Sequence, residues 1–415
     1  MKQLTIANFH PKHSPYFYVI AALIIGSLLR VIYPEDMEWK ADEIWNYTNG
    51  EALAHGQIPF TWVGMPSSAK VLNPGFSLWI FTAFGWFSAS PIEMVQWVMW
   101  LNVAALWAMF GFVIWQILEE ERSPWLWGLA IVAVNPLSIL FSRQIWTTDL
   151  LPPLAVLTIL GHWFRRHPFG AGLWGLMGTM IGQLHMSGFF YGAGLFLWTV
   201  WRDYKENRLT KTAWKAWAIG TILGLIPFAM WLRLVIDTFG GAGRPILSLL
   251  FPKFYLQWIV LGLGTNLSYS LGKIMWSHFI QEPLIFGQPT YLIGIAHLIL
   301  VAIGLKVLIP FIRRKPLNPP VARSLDFYFN AMGIGMGGLI TLSMLNIPPH
   351  YVVAPFPFIH VWWATHLQNR WRSLVALILL QLFISVAFIA FIHRTGGFAD
   401  SGYGVTYRIQ MQQKH

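Results

Sequence analysis

Cysteine is absent from the 415 residues. Disulfides, thiolate-ligated zinc and thiol catalysis are thereby excluded, and the compartment has to be argued from other features. Charge is scarce as well, with charged residues at 11% against 56% hydrophobic. No low-complexity tract and no separable soluble domain stand out. Carboxylates are the rarest charged groups, 17 Asp and Glu against 28 Lys and Arg, giving a formal net charge of +11. In a soluble protein that excess would suggest nucleic acid. Here it accompanies a mean hydropathy of +0.53 and 24 Trp. A soluble core of this length cannot absorb so much apolar surface, and repeated apolar runs of about 18 residues or more read as membrane spans. The composition predicts an all-α polytopic membrane protein, with its basic residues explained by topology and no nucleic-acid partner implied.

The first run, Tyr16 to Tyr33, lacks a small-residue cleavage site and leads into an acidic segment, so it reads as a retained span. Arg30 near its far end is expected to snorkel to the interface. Further spans are predicted at 92–118, 124–141, 150–164, 169–185, 187–201, 213–236, 290–312, 325–345, 351–367 and 373–393. The inner loops then hold Arg122, Arg165-Arg166, the basic cluster from Arg202 to Lys215, Arg313-Arg314-Lys315 with Arg323, and Arg370 with Arg372. This satisfies the positive-inside rule, and making the aromatic stretch at 73–90 a span would invert it. That stretch is therefore placed on the surface. The outcome is about eleven spans in a cytoplasmic membrane, multi-pass, with the amino terminus cytoplasmic. Residues 1–393 read as one membrane-embedded domain with a first outer loop at 34–91 and a large outer loop at 237–289, and residues 394–415 as an outer-face tail. In the large loop, Gly262-Leu263-Gly264 and scattered charges favour interfacial or re-entrant helices, whereas two further spans would raise the total to about thirteen.

Six of the 17 acidic residues, Glu35, Asp36, Glu38, Asp42, Glu43 and Glu51, fall just beyond the first span. The inferred topology gathers on the same face Asp42 and Glu43, the segment Ser142 to Asp149 with Arg143, then His185, then Arg244, Lys253 and Lys273, and finally His350-Tyr351. Carboxylates among scattered cations suit group transfer from a phosphate-linked donor. A carboxylate takes the proton of an acceptor hydroxyl, and cations stabilise charge on the departing phosphate. Adjacent helical positions point about 100° apart, so only one of Asp42 and Glu43 is expected to face substrate from a helix at 41–55. Plainer roles stand beside these. Asp42 or Asp149 could cap a helix, His185 could be a hydrogen-bonded core histidine, Arg143 could meet a lipid headgroup, and most tryptophans could form interface belts. Asn46-Tyr47-Thr48 also matches a glycosylation acceptor pattern.

Asp42-Glu43-Ile44-Trp45-Asn46-Tyr47, continuing to Ala54-His55-Gly56-Gln57-Ile58-Pro59, resembles the first outer loop of the membrane-embedded GT-C glycosyltransferases. The likeness is to the branch of protein O-mannosyltransferases and lipid A aminoarabinose transferases. Asn73-Pro74-Gly75-Phe76 to Trp79 is similar to that family's Pro-aromatic surface helix, and His350 to Pro357 to its late His/Arg-Tyr segment. The resemblance covers most of 16–205 and returns at 325–367. It implies a GT-C fold with juxtamembrane helices, a polyprenyl-phosphate sugar donor, inverting transfer and Asp42 as general base. It further implies Glu43 as its helper and a second acidic position at Asp149. Donor-phosphate or lipid contacts are expected from Arg143, His185, Arg244, Lys273, His350 and Tyr351. No cofactor is required by this reading; a divalent metal is compatible with it but not implied. Two family features are missing: the Glu-Lys-Pro motif, whose place before Pro74 holds Leu72-Asn73, and a large lumenal insert. The acceptor, whether lipid, glycan or protein, is thus left open. The alternatives are a polymerase or ligase using pyrophosphate-linked oligosaccharide, and a lipid or sugar transporter.

Overall fold

A computed structural model describes residues 15–66, 72–236, 253–315, 317, 320–345 and 347–413. The described residues are predominantly helical. In order it forms α1 (Pro15–Val31), α2 (Ala41–Ala54), a short antiparallel pair β1 (Val63–Pro66) and β2 (Leu72–Pro74), then α3 (Phe76–Gly85) and α4 (Pro91–Gln116). There follow α5 (Arg122–Val134), α6 (Pro136–Leu140), α7 (Leu151–Trp163), α8 (Pro168–Leu184), α9 (Met186–Lys205) and α10 (Trp214–Val235). The later half comprises α11 (Lys253–Leu263), α12 (Leu267–Phe279), the hairpin β3 (Leu284–Ile285) and β4 (Gln288–Pro289), and α13 (Leu292–Ile312). α14 (Arg323–Asn330) runs through a π-helical segment, Ala331–Met336, into α15 (Gly337–Leu342). The chain ends with α16 (Phe358–Leu367), α17 (Trp371–Thr395) and α18 (Tyr407–Gln412).

Among the described residues, four helices are long and apolar enough to cross a membrane: α4, α10, α13 and α17. Their outward side chains are large and apolar, as at Ile222, Leu298, Leu305 and Leu379, as expected for surfaces that face lipid rather than water. The protein is an all-α membrane protein. Close approach supplies much of its packing: a Cβ on Gly220 would collide with the backbone of Gly172 on α8, so these two helices meet along small residues.

Two sequence expectations about the bundle change. The run at 124–141 is not one helix, because Pro136 has no N–H to give the Val132 carbonyl. The N–H groups of Leu137 and Ser138 turn instead to Asn135 Oδ1, at 3.1 and 3.0 Å. Three α5 carbonyls are left without helical partners. Arg30 supplies two, with Nη1 on Ala133 O at 2.6 Å and Nη2 on Val132 O at 3.1 Å. Ser385 Oγ of α17 donates to the third, Val134 O, at 2.7 Å. Arg30 is therefore buried, 2% exposed, and does not snorkel. The run at 351–367 is likewise shorter than predicted, a 3₁₀ turn at Pro349–Val352 followed only later by the ten-residue α16. In the large loop, α11 buries Phe254, Trp258, Leu261 and Leu263 against α13, α15 and α16 and leaves Tyr255 and Leu256 exposed on its other face.

The stretch at 73–90 forms β2 and the ten-residue α3, which positions α2. α3 lies along α2, where a Cβ on Gly50 would be 3.0 Å from the Phe81 Cβ and one on Gly85 would be 3.1 Å from the Ala54 Cβ. Trp86 Nε1 donates to Ala54 O at 3.0 Å, fixing the far end of α2.

A carboxylate-lined candidate active site

The cavity beside the start of α2 has a volume of about 480 Å³ and is lined by residues from five separate parts of the chain. Glu38, Lys40, Asp42 and Glu43 come from the first loop, Gln144 and Trp146 from the segment before α7, Tyr269 and Ser270 from α12, and His350 and Gly402 from near the end.

Local chemistry sets the two central acids apart. The backbone of Lys40 is extended, and the Glu43 carboxylate turns back to accept its N–H at 3.1 Å. That is one half of a capping box, made by Glu43 and not by Asp42. Glu43 is consequently buried, while Asp42 is half-buried at the cavity wall. Asn46, one turn on, donates to Ile145 O at 2.9 Å and ties α2 to the segment carrying Trp146.

Carboxylates crowd this site with one lysine among them. Lys40 pairs with Glu38 and also donates to Gly402 O. Gln144 Nε2 donates to the other oxygen of Glu38 at 2.6 Å. Burial, with Glu43 next, pushes Glu38 up to about 8 against the pull of Lys40. Burial also pushes Glu43 to about 7, and Asp42 adds to that. Asp42 itself is raised by burial, opposed by Lys40 and by a hydrogen bond from the Trp146 indole. Not all of these groups can be charged together at neutral pH, and their protons are shared across the cluster.

Asp149 sits behind this wall. It is completely buried and accepts the Gln144 N–H at 2.9 Å with Oδ2, while Oδ1 has no partner. Burial holds its carboxyl well above the usual carboxylate range, and Glu43 and Glu38 add to that. It is not among the cavity-lining residues; the acids that join Asp42 at the cavity are Glu43 and Glu38, from a segment whose carboxylates outnumber its cations.

The expected phosphate contacts divide. Arg143 does not face the cavity: Nη1 donates to Leu29 O and Arg30 O at 2.7 and 2.9 Å, and Nη2 to Ile32 O and Tyr33 O at 2.6 and 3.0 Å. The guanidinium caps the carboxyl end of α1; of those four carbonyls, Tyr33 O also takes the Asp36 N–H at 3.1 Å. His350 does reach the cavity and packs edge-on against Trp146, ring centres 5.0 Å apart. Burial lowers its imidazole to about 4, so at neutral pH it offers a neutral donor or acceptor rather than a cation. His185 lies behind it, accepting the Ser187 N–H at 3.3 Å as the cap of α9 and meeting His350 and Tyr351 edge-on at 5.1 and 4.6 Å. Lys273 is exposed on α12 and is not part of the cavity wall. Arg244 lies outside the described residues.

The tail, expected only as an outer appendage, helps to build the site. Arg408 Nε and His393 Nδ1 reach the two oxygens of buried Asp36 at 2.8 and 2.6 Å. Tyr403 donates to Asp36 O at 2.8 Å and the Tyr407 N–H to Met37 O at 3.1 Å. These contacts carry Gly402 to the cavity rim. Glu35, Asp36 and His393 lie close enough to hold a metal, yet both Asp36 oxygens already serve Arg408 and His393. Compared with known protein families and with curated proteins, the chain finds no match.

Proposed function

We propose that this protein is a GT-C glycosyltransferase, moving a sugar from a polyprenyl-phosphate donor to an acceptor hydroxyl at the outer face of a cytoplasmic membrane, with about eleven spans. The observation that carries the reading is the convergence on one cavity of Asp42 and His350, each from a segment that resembles that family's, and of Trp146 from the stretch leading to the second acidic position at Asp149. In the proposed step an Asp42 oxygen takes the acceptor proton and the acceptor oxygen attacks the anomeric carbon. The bond from that carbon to the phosphate oxygen breaks, and the lipid phosphate leaves with the bonding pair. Attack opposite the leaving group inverts the anomeric centre.

A carboxyl raised by burial is a stronger base than one in water, which favours Asp42 for this work. Glu43 fixes the start of α2 and so aims its neighbour. Lys40 is the cation at the cavity and faces the charge developing on phosphate. The aromatic wall of Trp146, Tyr269 and Phe141 offers faces on which a sugar ring can stack.

The test is transfer of labelled sugar from synthetic polyprenyl-phosphate donors by purified protein, with Asp42→Asn alongside. We expect Asp42→Asn to lower turnover by roughly a hundredfold or more while unfolding at the wild-type temperature. Turnover near wild type sinks the base assignment. Consumption of only pyrophosphate-linked donors would redirect the reading to a polymerase or ligase.

A further inference from the structure

A second cavity, of about 440 Å³, lies at the other end of the bundle. α7 starts beside Asp149 and finishes at Trp163 on this cavity, a rise of about 20 Å, and α9 runs the same way from His185 to Arg202. Four arginines line it, Arg165, Arg202, Arg208 and Arg323.

Their ion pairing is lopsided. One carboxylate, Glu206, serves three of them: Arg202 Nε at 2.6 Å, Arg208 Nη1 at 3.0 Å and Arg323 Nη2 at 2.9 Å. Arg165 reaches Asp203 at 3.4 Å, but its Nε is buried with no partner. Asp203 is also engaged by Thr212 Oγ1 at 3.0 Å. Glu121 and Asp203 also line the cavity and Asp326 lies 4.0 Å from Arg202, yet the three guanidiniums drawn onto Glu206 repel one another, and each retains N–H donors that this carboxylate cannot fill. A phosphomonoester answers both deficits. It brings up to two negative charges and three acceptor oxygens, and it accepts forked pairs from several arginines at once.

The rest of the wall is apolar on one side only, where Leu118, Trp163 and Phe327 line the cavity with the Arg165 guanidinium 5.8 Å from the Phe327 ring centre; Gln116, Glu121 and Ser324 also line it. A floor of four arginines and three carboxylates beside a partly apolar wall at a bundle end suits a ligand with a phosphate head and a hydrocarbon body.

We propose that this cleft is a binding site for a phosphomonoester group, carried by a membrane lipid headgroup or by a soluble phosphate compound. It is separate from the carboxylate cavity and does not depend on the reaction assigned there.

The probes are inorganic phosphate added to the protein in phosphatidylcholine nanodiscs, and phosphatidic acid built into those discs. The readout is the thermal unfolding midpoint across each titration. Wild-type protein should be stabilised by at least one probe. A response to phosphatidic acid alone identifies a lipid source, and a response to inorganic phosphate as well identifies a soluble one. Arg208→Gln with Arg323→Gln alters side chains that are 39% and 65% exposed, so the fold should tolerate it. That double variant should need about tenfold more probe for the same shift. No response of the wild type to either probe overturns the proposal, and so does a double variant that responds as the wild type does.

Discussion

Asp42 and Glu43 are neighbours in sequence and differ in everything that matters for chemistry. Glu43 spends an oxygen on the Lys40 N–H and is buried; Asp42 keeps a half-exposed edge on the cavity. The acid whose part the sequence hides is Glu38, which reaches the cavity because Gln144 and Lys40 hold it there. Its titration has a definite sign. Its usual value is 4.5 and the folded protein lifts it to about 8, so the folded state holds a proton that the unfolded chain releases. The stability this contributes is complete below the usual value and is lost as pH rises through the folded one. We therefore expect the thermal midpoint to fall between about pH 5 and pH 9, and Glu38→Gln to flatten that fall. A midpoint that rises over this range in the wild type would contradict the cluster's protonation. The base assignment makes a matching prediction for turnover. With Asp42 raised, the acid limb of kcat/KM should lie above the range of an ordinary aspartate, and activity should drop as pH falls through it.

At the scale of elements, two arginines and an asparagine join helices end to end. Arg30 on α1 satisfies the end of α5, Arg143 beyond α6 satisfies the end of α1, and Asn135 Nδ2 donates to Leu261 O of α11 at 2.8 Å. The arginines stand in for backbone partners at helix ends, whereas Asn135 adds a second donor to Leu261 O, which also takes the Gly264 N–H at 2.9 Å. Arg143→Ala should therefore destabilise the protein by about 3 kcal/mol, read as a lower unfolding midpoint in detergent. Arg143→Lys should recover little, since an ammonium cannot fork across four carbonyls. A variant with wild-type stability but a raised KM for the lipid donor would restore the phosphate role expected from sequence. From sequence, a lone arginine between two spans on the presumed outer face looks identical in both roles.

Over the whole molecule, the tail closes the structure onto its beginning. Tyr33 stacks on His393 with ring centres 3.8 Å apart, and Arg394 pairs with Glu282 in the turn before β3. Asp36 anchors Arg408, and this holds Gly402 over Lys40. Arg408→Ala should loosen this closure. The expected result is a KM for donor raised severalfold with the bundle intact, and protease cleavage appearing within 396–410. Unchanged KM and unchanged cleavage would make the tail a bystander.

The sequence by itself determined the class of the protein and pointed to a segment that lines a cavity. Apolar runs and confined basic residues make a helical membrane protein, because hydrocarbon tolerates only backbone that bonds to itself. The acid excess after the first span marked the segment that lines the cavity, and its periodicity gave α2 nearly to the residue. The tertiary structure alone decided which groups meet there. Pro136 broke a predicted span and so enlisted Arg30, Arg143 turned to a helix end, and Glu38 and Gly402 arrived with no local signal. Such outcomes depend on which buried carbonyl or carboxylate needs a partner, and that need exists only once distant segments have packed together.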